Sequence, residues 1–169
     1  MKKIFKTFCL SLVLSCLLGI GTNLEAGVIK VPGCAFRPTS YSAYNDVWWF
    51  VSPNRLYTIP HSGQTAEFIA PLNFPNGITI KKITIYCLNE VGPGYISVFL
   101  FRANLLTGVE EIFAQEVCPV VTGRQIIVLN GPQIKYKTVK NSSYSYSALV
   151  LFDQNAGENV QLHEIQITY

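Results

Sequence analysis

The 169-residue chain is 49% hydrophobic and 12% aromatic, with 14% charged residues and a formal net charge of +3. So apolar a composition excludes an intrinsically disordered chain, and so small a charge excludes the basic footprint of a nucleic-acid binder. Setting residues 1–26 aside removes Lys2, Lys3, Lys6 and Glu25, leaving 143 residues with ten basic and nine acidic side chains, net +1, which is one domain with a real core.

Residues 1–26 read as a secretory signal peptide. Lys2, Lys3 and Lys6 form a basic start, Phe8 to Ile20 an apolar stretch, and Leu24-Glu25-Ala26 a small-residue cleavage site before Gly27. The expected location is therefore secreted or periplasmic, with no integral membrane segment in the mature chain. Val13-Leu14-Ser15-Cys16 resembles a lipoprotein box, but the apolar run continues through Leu17, Leu18 and Ile20, against lipidation at Cys16.

The mature chain opens with Val28, Ile29 and Val31, a short strand stopped by Pro32-Gly33. The most aromatic segment follows, YSAYNDVWWFVSPNRLY, with Tyr41, Tyr44, Trp48, Trp49 and Tyr57 as candidate ligand-binding residues. Because strand side chains alternate, Trp48 and Trp49 must face opposite ways: one enters the core while the other is free to stack on a sugar ring or to pack at the rim.

Residues 66–108 are the centre of the pattern. Phe68, Ala70 and Leu72 share one parity, and Pro75-Asn76-Gly77 makes a turn. Ile78 and Ile80 then fall on one face and Ile83, Ile85 and Cys87 on the other, so a β-bulge is expected at Lys81-Lys82. After Gly92-Pro93-Gly94, the run YISVFLFR is apolar on nearly both faces, as in a central strand covered on both sides. Further strands are predicted over Glu110 to Val117, Gln125 to Leu129, Ile134 to Thr138 and Tyr144 to Phe152, the last with Leu149 and Leu151 covered on its second face. The chain closes with Val160 and Leu162, a parity change near His163-Glu164, then Ile165, Ile167 and Tyr169.

With no helical periodicity, these elements predict an all-β single domain over residues 27–169. The expected architecture is an antiparallel β-sandwich or jelly roll of about eight or nine strands. An outer-membrane barrel is the competing reading of the closing strand, but YISVFLFR and ALVLF lack a polar lumen face.

Among Cys34, Cys87 and Cys118, the favoured disulfide is Cys87–Cys118, since both end strands of the central block; three buried thiols is the competing reading. Neither a metal site nor a cofactor is expected. No nucleophile-elbow pattern is present, Glu110 and Glu111 face opposite ways on a strand, and His163-Glu164 reads as a surface pair at a bulge, so no catalytic residue is assigned. Asp153, Asn155, Glu158 and Asn159 supply oxygens without the spacing of a calcium loop. Asn141-Ser142-Ser143 matches a glycosylation sequon, which acts only in a eukaryotic secretory pathway.

The blocks FIAPLNFPNGITIKKITIY, ISVFLFRANLLTG, NSSYSYSALVLF and LHEIQITY resemble an uncharacterised group of exported bacterial domains. Its members carry segments such as F-x-A-P-V-x-L-P-x-G-A-T-V-T-x-L and N-S-x-Y-S-Y-Y-L-x-V. The resemblance spans about residues 66 to 169, implies a secreted β-sandwich and implies no activity. Cys87 and Cys118 depart from the group, which usually has an aromatic or small polar residue there.

The leading expectation is a non-catalytic exported protein that works by binding or surface assembly, with a homo-oligomer, a carbohydrate or another surface partner. A carbohydrate-binding module with an exposed aromatic platform is the alternative. An exported hydrolase using His61 or His163 is the third.

Overall fold

The computed structural model describes residues 27–39, 47–52, 55–60, 65–90, 94–153, 156 and 160–169, with the backbone alone for 47–52 and 58–60. The leader, Tyr41, Tyr44, His61 and the loop residues Asn155, Glu158 and Asn159 lie outside the described residues.

Eleven strands run through the described chain: β1 (Val28–Pro32), β2 (Arg37–Pro38), β3 (Val47–Ser52), β4 (Arg55–Pro60), β5 (Ala66–Pro71), β6 (Lys82–Asn89), β7 (Ile96–Asn104), β8 (Glu110–Cys118), β9 (Gly123–Asn130), β10 (Tyr144–Phe152) and β11 (Val160–Thr168). They form two antiparallel sheets, as the side-chain alternation requires. One has the order β3-β4-β11-β6-β9 with β1 also paired to β11; the other has the order β2-β5-β10-β7-β8. The total exceeds the expected eight or nine because the aromatic segment folds into the β3–β4 hairpin and two-residue β2 is too short to leave a pattern.

The core lies between the sheets. β5 shows how the sequence fills it: Ala66, Phe68 and Ala70 are buried while Glu67, Ile69 and Pro71 are exposed. Phe68 meets Phe152 edge-on at 5.8 Å, and Phe74, Phe113 and Tyr146 form a second edge-on cluster, with Phe74 and Tyr146 5.3 Å apart. Such contacts add about 0.5–1.5 kcal/mol to the area that each ring buries.

Three local expectations change. The parity switch at Lys81-Lys82 is a change of partner, not a bulge. Thr79 bridges Thr138, the Ile80 amide donates to the Lys137 carbonyl at 2.9 Å, and the Lys81 amide then donates to the Thr168 carbonyl at 2.9 Å as the chain joins the other sheet. Residues 134–138 are not a strand, because Tyr136 takes a φ of 47° and breaks the extended run. Their chain instead folds against the sandwich, burying Ile134 and Val139, with the Lys135 amide bonded to the Phe113 carbonyl at 2.7 Å. Finally, β7 and β10 are interior strands of their sheet, yet Phe99, Phe101, Leu149 and Leu151 are half-buried on its outer face. These side chains shield one another, Phe99 and Phe101 being stacked at 6.1 Å.

The parity change near His163 is a true bulge. Leu162 pairs with Cys87 and Glu164 with Tyr86, so His163 is the extra residue. A second bulge lies opposite Leu100 and Phe101, where Phe113 is inserted and both Phe113 and Ala114 are buried.

Candidate functional site

The outer face of the six-stranded sheet carries a groove of about 520 Å³ lined by Tyr86, Arg124, Ile126, His163, Glu164 and Gln166, with Cys87 and Gln125 beneath. Strand parity assembles it. Ile83, Ile85 and Cys87 turn inward from β6, so Thr84 and Tyr86 turn outward; across β9 the partners of those two are Val128 and Ile126. On β11 the bulge resets the phase, so that Glu164 and Gln166 stand opposite Tyr86 and Thr84 on the same outer face. Without the extra residue, Leu162 and Ile165 could not both be buried.

These polar groups are held in place. The Tyr86 hydroxyl donates to Gln166 Oε1 at 3.3 Å, and Gln166 Nε2 donates to Glu164 Oε1. The Tyr86 ring therefore has a fixed amide and carboxylate at its side, and Ile126 is 65% exposed beside it. A ring next to directed hydrogen-bonding groups can stack on an apolar face while the polar groups hold hydroxyls.

His163 is half-buried, and its Nε2 is a buried atom with no hydrogen-bond partner among the described residues. Burial lowers its pKa from the usual histidine value, with Arg55 and then Arg124 pushing in the same direction. Register explains Arg55: Leu56 pairs with Leu162, which puts Arg55 beside the bulge. No hydrogen bond links His163 to a hydroxyl or carboxylate among the described residues, so the arrangement does not form an acid-base-nucleophile relay.

The candidate aromatic residues are only partly brought together. Trp48 is registered opposite Ile59 and Trp49 opposite Thr58. Tyr57 is half-buried and pairs with Gln161, at an outer-face position of the sheet that carries Tyr86. Tyr86, Arg124, Ile126 and Gln166 were not among the sequence candidates. The outer positions of β6 and β11 carry Thr84, Tyr86, Glu164 and Gln166, but those of β9 mix Arg124 with Ile126 and Val128, so the face becomes readable only once these strands are known to be neighbours.

Cys87 on the six-stranded sheet and Cys118 on the five-stranded sheet are free thiols, both buried, and the Cys87 thiol donates to Gln125 Oε1 at 4.0 Å. The Cys87 side chain, followed by burial, raises the Cys118 pKa. Cys34 is also free. Among the described residues, no group of three or more His, Cys, Asp or Glu side chains could hold a metal ion, and no helix is long and apolar enough to cross a membrane.

No protein-family model and no curated protein matches the sequence. Solved structures do match the fold. The C-terminal CBM6 of LamC, a marine laminarinase from Zobellia galactanivorans, superposes with a TM-score of 0.50 at 15% identity, over 85% of this chain and 100% of that one. A Clostridium thermocellum endo-1,4-β-D-xylanase 10B structure, CBM22-1–GH10 modules complexed with xylohexaose, gives 0.53 at 12% identity over 85% of this chain and 27% of that one. The xylan-binding module CBM15 gives 0.52 at 9% identity, over 85% and 97%. At these identities the likeness establishes the sandwich fold and nothing finer.

Proposed function

We propose that this domain is an exported, non-catalytic carbohydrate-binding module whose oligosaccharide site is the groove on the outer face of the six-stranded sheet. The carrying observation is the Tyr86 ring, fixed at its hydroxyl by Gln166, which in turn holds Glu164 in a groove of about 520 Å³. Pockets for small ligands run to about 300–1,000 Å³ and combine apolar walls with a few fixed polar groups. The fold supports the reading by analogy: one structural neighbour is a xylan-binding module, and another was solved with xylohexaose.

The outer face of the five-stranded sheet fits a sugar less well. Phe99, Phe101, Leu149, Leu151 and Ile69 dominate its centre, and Phe99 and Phe101 stack on each other there, although Gln115, Ser147, Ser97 and Glu67 are paired beside them.

A glycan array probed with the purified protein, followed by calorimetry on the best binder, tests the proposal. Tyr86→Ala should weaken binding by about tenfold or more with an unchanged circular dichroism spectrum, while Tyr86→Phe should keep most of the affinity. Binding of no glycan, or full affinity in Tyr86→Ala, would refute it.

A further inference from the structure

Two guanidinium groups, Arg55 on β4 and Arg124 on β9, flank the bulge from opposite sides of β11 and β6. Both are exposed, and among the described residues neither has an ion-pair or hydrogen-bond partner; the one described ion pair, Arg102–Glu111, lies elsewhere. Between them stands His163 with its unpartnered Nε2. Among the described residues, the one acid lining the groove is Glu164, whose Oε1 already accepts from Gln166. In a chain with 14% charged residues, two cations without a partner among the described residues, Arg124 lining the groove and Arg55 beside the bulge, favour a negative group there.

We propose that the groove selects an oligosaccharide that carries a carboxylate, a uronic acid unit, with the acid group against Arg55, Arg124 and His163 and the sugar ring on Tyr86. The proposal rests on the sugar-binding reading above and adds the class of sugar. A guanidinium matches the two oxygens of a carboxylate. Glu164, held by Gln166, offers a fixed acceptor for neighbouring hydroxyls, which a sugar acid carries and a free phosphate lacks. Since both arginines are exposed, the preference should fade as salt is raised.

Calorimetry with oligo-1,4-galacturonate and with the same oligosaccharide after reduction of its carboxyl groups to alcohols separates the two ideas, with free acetate as a control. The uronate should bind about tenfold more tightly than the reduced sugar, and acetate should not compete at equal concentration. Arg124→Gln and Arg55→Gln together should erase that difference; Tyr86→Ala should weaken both ligands. Equal affinity for the two oligosaccharides overturns the acidic-sugar inference and leaves the sugar-binding reading standing. Failure of both, against a positive hit for a neutral glycan of another class, also overturns only the inference. Failure of every glycan overturns both, and competition by acetate as strong as by the uronate assigns the site to simple anions and overturns the inference.

Discussion

The guanidinium carbon of Arg102 lies 3.5 Å from the centroid of the Tyr136 ring. It is also 4.2 Å from the Tyr144 centroid, and its Nη2 meets Glu111 Oε2 at 2.7 Å. Arg102 therefore closes one end of the sandwich: its charge is paired across the β7–β8 ladder while its planar group packs against two rings. Lysine can keep the charge but not the flat stacking or the fork to Glu111. Arg102→Lys should lower stability by about 1–2 kcal/mol in urea unfolding, and Arg102→Ala by more, because Glu111 then loses its partner.

Gly33 is buried where β4 and β11 meet. A Cβ there would stand 2.5 Å from the Leu56 amide nitrogen, 2.6 Å from the Leu162 carbonyl oxygen and 2.7 Å from the Arg55 carbonyl carbon, all backbone atoms. Backbone in two paired strands cannot step aside as a flexible side chain would. Gly33→Ala should cost about 2 kcal/mol or more and lower the thermal midpoint, and because it pushes on Arg55 and Leu162 it should weaken glycan binding as well.

Cys87 and Cys118 are both buried, one on each sheet, and each shifts the titration of the other, so oxidation to a disulfide between the sheets is a testable expectation. In an oxidising compartment, a disulfide donor can accept the two electrons as each thiol gives up its proton. The closed loop would add about 3–4 kcal/mol by restricting the unfolded chain. Protein recovered from outside the cytoplasm should thus block only Cys34 when alkylated under denaturing conditions, and all three cysteines after reduction. Three blocked cysteines without reductant would show that the pair stays reduced.

His163 makes stability depend on pH. Its folded pKa is lowered by burial and by Arg55 and Arg124, so the unfolded chain takes up the proton first as pH falls. The contribution is therefore complete above the ordinary histidine range and is lost as pH drops through the lower folded value. The charged and titratable groups facing it are Arg55 on β4, Arg124 on β9, Glu164 on β11 and Tyr86 on β6. His163→Gln should flatten the acid side of the unfolding midpoint plotted against pH, and an unchanged slope would place the acid sensitivity elsewhere.

Much of the fold was legible in the chain because parity is a local property. The alternation in β5 and β10 and the slip at His163 each follow from two or three neighbouring residues. The Lys81-Lys82 slip was misread because parity records that a face changes, not whether the partner changes with it. The apparent double coverage of YISVFLFR arose because Phe99 and Phe101 bury one another on an outer face, which hydrophobicity alone does not distinguish from a covering layer. The groove was invisible for a different reason: Tyr86, Arg124 and Gln166 come from three strands whose adjacency is set by long-range pairing.

One edge of β11 is shared, β4 taking Gln161 and Leu162 and β1 taking Glu164 to Thr168, while β6 occupies the other edge. All of these partners precede β11 in the chain. The six-stranded sheet therefore has no spine until residues 160–168 have emerged, and until then β1, β4 and β6 are separate pieces with open edges. Assembly must run backwards along the polypeptide, with a late segment recruiting early ones.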